Sequence, residues 1–188
     1  MEIGTIVLSG GKSSRFGTDK GLYLFNDKHL VNYAFKSCQP FSKNTIIISN
    51  NEKYQSFQQK VYPDIFISSG PMGGIHSGLH HSTYDINLII SCDTPYISSG
   101  LIKMMLQEYS NEDVLICQTS DGKYQTLIGL YHKRIIKKME HELKLKHLKL
   151  IDFIFETNHK IIQIPKDHLF NKCFINFNYL SEAKKYEY

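Results

Sequence analysis

The sequence predicts an α/β protein, a three-layer α/β/α sandwich around a mostly parallel sheet. Three observations carry that prediction. Short apolar runs rich in β-branched residues alternate with segments of helical period along most of the 188 residues. The first such run feeds directly into a glycine-rich stretch, and others stop at aspartates. Finally, eight of the 12 glycines fall in two stretches, Gly10, Gly11, Gly17 and Gly21, then Gly70, Gly73, Gly74 and Gly78. Both stretches read as loops.

Taken in order, Ile3 to Leu8 reads as a buried strand. Leu30 to Phe41 has helical spacing, with Val31, Ala34, Phe35 and Cys38 on one side and Pro40 limiting its end. Thr45 to Ile48 is a second buried strand. Glu52 to Gln59 suits a polar surface helix, and Val61 to Asp64 a short strand. Ile75 to His81 follows as a helix, with Pro71 fitted to a helical first turn, where its missing N–H costs nothing. Asn87 to Ser91 is the next buried strand. Ser98 caps a helix running to about Tyr109. Asp113 to Cys117 and Tyr124 to Tyr131 form two strands joined by Asp121-Gly122, a dipeptide that favours a hairpin turn. Arg134 to Glu142 and His147 to Phe155 are helical, Lys160 to Ile164 and Phe174 to Asn176 short strands, and Leu180 to Tyr186 a closing helix. Neither a repeat nor a linker interrupts the pattern, so residues 1–188 read as one domain.

Composition narrows the class. Hydrophobic residues make up 41% and charged residues 21%, which excludes disordered and fibrous chains. A net charge of +4 is too mild for a nucleic-acid binder. The cysteines Cys38, Cys92, Cys117 and Cys173 are far apart, which argues against a disulfide framework or a zinc ribbon. They read as reduced, mostly buried thiols. No apolar run approaches membrane-spanning length. Met1-Glu2-Ile3-Gly4 lacks the basic start of an export signal. The expectation is a soluble cytoplasmic protein with no nucleic-acid or membrane partner. Within residues 133–149, seven Lys and Arg side chains face two Glu, a local excess of +5. That segment is either a solvated helix face or a basic wall beside an anionic substrate.

Leu8 to Gly21 begins where the first strand ends, the usual ligand crevice of an open α/β sheet. Adjacent Gly10 and Gly11 let backbone N–H groups approach phosphate oxygens. Ser13, Arg15 and Lys20 add hydroxyl and cationic donors. The spacing is neither a Walker A loop nor G-x-G-x-x-G. Asp93, just past the end of a buried strand, suits Mg²⁺, which takes one or two carboxylates together with substrate phosphates. Asp64 ends another strand. Two strand-end aspartates beside two glycine stretches point to a nucleotide–metal site.

These residues resemble a known family. Leu8-Ser9-Gly10-Gly11-Lys12-Ser13-Ser14-Arg15-Phe16-Gly17-Thr18-Asp19-Lys20 is similar to the L-x-G-G-x-S-x-R-[MF]-G-x-D-K signature of the molybdenum cofactor guanylyltransferases, the MobA family. Gly70-Pro71-Met72-Gly73-Gly74-Ile75 resembles its G-P-L-[AG]-G-[IM] element and Cys92-Asp93-Thr94-Pro95-Tyr96-Ile97 its C-D-x-P-[YF]-[IL] element. Phe174-Ile175-Asn176-Phe177-Asn178 resembles its C-terminal N-x-N motif. The elements come in family order and span almost the whole chain. Ser9 stands where the family usually has Ala, and Tyr179-Leu180 where Thr-Pro commonly follows.

The resemblance implies a Rossmann-like nucleotidyltransferase fold, its N-terminal part binding GTP and its C-terminal part binding molybdopterin. The implied reaction transfers GMP from GTP to the phosphate of molybdenum-bearing molybdopterin and releases pyrophosphate. Leu8, Ser9 and Gly10 would line the guanine and ribose. Gly11, Ser13 and Lys20 would contact phosphates. Asp64 would contact the nucleotide, Asp93 the nucleotide and Mg²⁺, and Asn176 and Asn178 the pterin. Lys20, Asp93 and Arg15 would be the catalytic residues. Whether Ser49, Asn50 or Asn51 reaches the nucleotide stays open. Partner proteins would deliver the cofactor and accept the product as molybdoenzymes. Two other readings stand beside this one: a related transferase using CTP or a sugar phosphate, and a non-catalytic nucleotide-binding regulator.

Overall fold

The computed structural model describes residues 2–10, 16–42, 44–166 and 168–187. Its elements in chain order are β1 (Gly4–Leu8), β2 (Leu24–Phe25), β3 (Lys28–His29), α1 (Leu30–Cys38), β4 (Thr45–Ile48) and β5 (Lys60–Tyr62). There follow α2 (Gly70–His81), β6 (Ile86–Ser91), α3 (Ser99–Glu108), β7 (Val114–Thr119), β8 (Tyr124–His132) and α4 (Ile136–Lys144). The chain closes with α5 (Leu150–Phe155), β9 (His159–Ile164) and α6 (Leu180–Lys184).

Seven strands form one sheet in the order β5-β4-β1-β6-β8-β7-β9. Within it only β8 runs antiparallel to its neighbours. Side-chain alternation sorts the strands onto two helical layers. Val7, Ile47, Leu88, Ile90, Leu115 and Leu130 pack with α1 and α3. Ile6, Leu8, Ile46, Ile48, Ile89 and Ile116 pack with α2, α4 and α5. The three-layer prediction therefore holds, and so does the mostly parallel sheet. A satellite cluster of Phe16, Phe25, Leu30, Phe177 and Ala183 joins β2, α1 and α6 at one pole.

Four expectations need correction. The second glycine stretch is not a loop: α2 starts at Gly70, so Gly73, Gly74 and Gly78 are helical. The reason is the closeness of the helix to β1. A Cβ on Gly78 would lie 2.4 Å from Ile6 Cγ2, well inside van der Waals contact. The expected helix over 52–59 is a single 3-10 turn, Glu52–Ser56, because Tyr54 turns inward and is fully buried. Phe174 to Asn176 pairs with no strand; the chain makes a 3-10 turn at Asn171–Phe174 and then crosses the strand ends. The β2–β3 hairpin has no counterpart in the expected elements. Its signal was Asn26-Asp27, both at positive φ (45° and 62°), as two-residue hairpin turns require.

The cysteines are free and buried, and burial pushes the Cys38, Cys92 and Cys117 thiols up to about 12. Among the described residues no helix is long and apolar enough to cross a membrane.

Two predictions follow from this packing. Gly78→Val should lower stability by about 2–3 kcal/mol, because the β-branched side chain overpacks a core with no room to yield; chemical denaturation measures it. His76 on α2 is 3% exposed, and neither ring nitrogen has a hydrogen bond among the described residues. Burial holds its imidazole below the ordinary 6.5, so the folded state takes up that proton less readily than the unfolded chain. Stability should be full above about pH 6.5 and fall as pH drops below it. His76→Leu should remove part of that slope in urea midpoints. His81 and His132, which burial lowers in the same direction, contribute to what remains.

Candidate active site

The sheet order reverses at β1. From β1 the chain runs outward through β4 and β5, then crosses back to β6 on the other side. A crevice opens at such a point, outside the carboxyl ends of the strands. There the backbone ladder runs one residue past each strand. Ser9 N–H donates to Ile48 O (3.0 Å), Ser49 N–H to Tyr62 O (2.9 Å) and Cys92 N–H to Leu8 O (3.1 Å). Leu8 and Ser9 are buried, and Gly10 is exposed beside Asp64. Contacts to a ligand at this end of β1 would therefore run through the backbone and Gly10 rather than the Leu8 side chain. Gly11, Ser13 and Arg15, the expected phosphate donors, lie outside the described residues.

Three carboxylates surround the crevice in three different environments. Asp19, part of the first glycine motif, is a structural tie. Its Oδ1 accepts from Tyr54 OH (2.5 Å) and Gly21 N (3.1 Å), and its Oδ2 from Asn51 Nδ2 (2.8 Å). Burial pushes the Tyr54 phenol above its ordinary range, which keeps it a donor. Gly21 is required here, since a Cβ would lie 2.2 Å from the Tyr54 oxygen. The consequence is a fixed launch point for Lys20, whose 3-10 turn Lys20–Leu22 is capped by Asp19.

Asp64 is paired with Asn50 through two hydrogen bonds, Asn50 Nδ2 to Oδ2 (2.9 Å) and Asp64 N to Asn50 Oδ1 (3.0 Å). Its Oδ1 is buried without a hydrogen bond among the described residues. Burial raises the carboxyl above its ordinary range, partly opposed by the Asn50 donor. The Asn50-bound Oδ2 lies on the side of the exposed Gly10, and Oδ1 on the side of the buried Gly74. The open question of Ser49, Asn50 and Asn51 thus acquires a geometry. Asn50 sits with Asp64 on the crevice side, Asn51 with Asp19, and Ser49 Oγ accepts from Asn51 N (3.2 Å).

Asp93 leaves the end of β6. Its Oδ1 accepts from Ser91 Oγ (2.6 Å) and its Oδ2 from Lys20 Nζ (3.1 Å), with side-chain exposures of 14% for Asp93 and 19% for Lys20. Lys20 Nζ also reaches Asn178 Oδ1 at 3.5 Å. The Asp93 carbonyl accepts from Phe177 N–H (3.0 Å). Phe177 itself is fully buried in the aromatic satellite, edge-on to Phe25 at 5.1 Å. The middle residue of Asn176-Phe177-Asn178 is thus the anchor, and both flanking amides line a cleft beside the site.

That cleft has a volume of about 710 Å³, and its walls include Tyr124, Gln125, Lys149 and Phe174. The β7–β8 pairing slips between Ile116 and Cys117, so that Ile116 faces Gly129 but Cys117 faces Gln125. The extra residues on β8 form a bulge of the kind that re-aims side chains next to sites. The basic segment 133–149 divides. Lys133 donates to Ser82 O, and Arg134 pairs with Asp113. Lys138 is bound to the Glu156 carbonyl, and its ammonium lies 3.7 Å from the Glu156 carboxylate. Lys144 pairs with Glu140 at 2.6 Å. Of the seven cations only Lys149 lines the cleft, so a continuous basic wall is not what the fold builds.

Comparison with known proteins places this geometry. A family described as the MobA-like NTP transferase domain matches residues 5–159. A Flavobacterium johnsoniae protein named "Probable molybdenum cofactor guanylyltransferase" is 32% identical over 172 residues, covering 92% of this chain and 90% of its own. The molybdenum cofactor guanylyltransferase of Vibrio vulnificus is 32% identical over 186 residues, covering 96% and 93%. Among solved structures, the molybdopterin-guanine dinucleotide biosynthesis protein A of Archaeoglobus fulgidus superposes with a TM-score of 0.80 at 20% identity, over 98% of this chain and 96% of that one.

The Asp19 tie makes a measurable prediction. Asp19→Ala should destabilise the fold by about 2 kcal/mol, because the buried Tyr54 hydroxyl loses its acceptor. Tyr54→Phe, which leaves Asp19 its other donors, should cost about 1 kcal/mol. Denaturant midpoints compare the two.

Proposed function

The chain belongs to the MobA-like NTP transferase family, and on that premise we propose that it transfers GMP from GTP to the phosphate of molybdenum-bearing molybdopterin. A phosphate oxygen of the acceptor attacks the α-phosphorus of GTP. The bond from that phosphorus to the bridging oxygen breaks, and pyrophosphate leaves with its electron pair. The relatives' names supply the substrates. One observation of this chain supports the reading: Lys20 touches Asp93 on the strand-end side and Asn178 on the cleft side. A single cation thus stands between a site suited to a nucleotide and a separate cleft suited to an acceptor.

No protein nucleophile is required, since the acceptor phosphate is one already. The work left to the chain is positioning and charge neutralisation. Asp64 and the Gly10 backbone beside it would hold the nucleoside. Lys20 would exchange its ion pair with Asp93 for the phosphates, and Arg15 would add a second cation. Among the described residues no group of three or more His, Cys, Asp and Glu side chains could hold a metal by themselves. Asp93 alone fits the Mg²⁺ pattern of one protein carboxylate completed by substrate phosphates. When bound there, Mg²⁺ would neutralise charge on the phosphates. Asn176 and Asn178 would bind the pterin. The setting would be the cytoplasm, with cofactor-delivering and cofactor-accepting proteins as partners.

Lys20→Ala and Asp93→Ala should each lower turnover about 10²–10³-fold in a pyrophosphate-release assay with GTP, Mg²⁺ and molybdenum-loaded molybdopterin. Near wild-type turnover in either, with folding intact, contradicts the assignment. Running GTP, CTP and ATP side by side, and a sugar phosphate in place of molybdopterin, tests base and acceptor. Binding of Mg-GTP without pyrophosphate release would mark a non-catalytic binder.

A further inference from the structure

Tyr124 lies outside every motif read from the sequence, and the transfer reaction gives it no role. It opens β8 immediately after the hairpin turn and lines the cleft that holds Asn176 and Asn178. The residue is 37% exposed at the end of an interior strand. Phe155 braces it at 5.3 Å in a near-perpendicular arrangement of 86°, and Phe155 is itself 45% exposed and rests on His159 at 5.3 Å. The Tyr124 hydroxyl has no hydrogen bond among the described residues, so the ring is held by its neighbours and not by its polar end. The same cleft is lined by three carboxamides, groups that both donate and accept: Asn176, Asn178, whose Oδ1 accepts from Lys20 at 3.5 Å, and Gln125, whose Nε2 donates to Thr119 Oγ1 at 3.4 Å. A π face beside amides that pair with alternating N–H and C=O edges suits a flat, polar heterocycle.

We propose that Tyr124 is the stacking platform for the acceptor's planar ring, and that it sets acceptor affinity in this chain. The inference rests on the transfer reading above, and deepens it by assigning a residue to the ring. Phe155 acts as a positioning residue that keeps the Tyr124 ring upright at the cleft edge. Lys149, which precedes α5 and also lines the cleft, is paired with Asp152 at 2.9 Å. It contributes charge to the cleft mouth but no ring surface. Discrimination then comes from Tyr124 for flatness and from the amides for the edge pattern.

The test uses the full chain with Mg²⁺, GTP and molybdenum-loaded molybdopterin, and reads KM for each substrate separately. Tyr124→Ala should raise the acceptor KM roughly tenfold, the size of a lost ring stack, while the GTP KM stays within about twofold. Tyr124→Leu, which keeps apolar bulk without a π face, should resemble the alanine variant. Tyr124→Phe should restore the wild-type acceptor KM. A second readout needs no turnover: the fluorescence of 6-hydroxymethylpterin monophosphate should be quenched on binding wild type and Tyr124→Phe, and not Tyr124→Ala. The proposal is overturned if wild type transfers GMP and the alanine variant keeps its acceptor KM, or if leucine restores it as well as phenylalanine. Should wild type bind Mg-GTP yet neither transfer GMP nor quench the pterin, the transfer reading itself falls, and this inference with it.

Discussion

Burial of β1 on both faces governs everything else in the molecule. All five of its residues are buried, and it carries β4 on one side and β6 on the other. A strand in that position cannot end on the surface by itself. Its neighbours must be aligned so that their carboxyl ends open together, and α2 must lie close enough to cover Ile6 and Leu8. The glycines of α2 meet that demand by removing side chains where the helix meets the strand. Close helix–strand packing and the crevice above it are therefore two consequences of one steric requirement.

The three aspartates at that crevice show how location divides one side-chain chemistry into separate tasks. Asp19 has spent both oxygens on internal donors and serves as a bracket for the Lys20 turn. Asp64 has one buried oxygen without a hydrogen bond among the described residues, and a buried acceptor left without a donor costs free energy. Asp93 is held by Ser91 on one oxygen and by Lys20 on the other. With side-chain exposures of only 14% and 19%, removing either partner of that ion pair would leave the other charge largely buried and unpaired.

On the acceptor side, the aromatic satellite does for the C-terminal segment what the core does for β1. Phe177 is locked among Phe25, Tyr96 and Tyr186, and its N–H is tied to the Asp93 carbonyl. Because side chains alternate in an extended segment, burying Phe177 turns Asn176 and Asn178 together toward the cleft. The link from aromatic packing to amide placement is direct. Loosening the satellite would disturb Asn176 and Asn178 and, through the Phe177 N–H, the Asp93 backbone as well.

The layered α/β architecture was legible in the sequence because its signals are local. β-branched runs such as Thr45–Ile48 and the helical period of Leu30–Cys38 follow from short-range geometry. Strand-end residues such as Asp64 and Asp93 could be picked out for the same reason, as could the Asp121-Gly122 turn. What tertiary structure decided was everything that depends on distance through space. The second glycine stretch is a helix because Ile6 lies against it. The stretch after Glu52 is one turn because Tyr54 reaches Asp19. The basic segment is no wall because Lys133, Arg134 and Lys138 find partners on other elements. The cleft lined by Tyr124, Lys149 and Asn176 joins residues far apart in the chain, and a sequence carries no direct record of such a meeting. Local propensity names the elements and their terminal residues, whereas close packing determines which of those residues share a site.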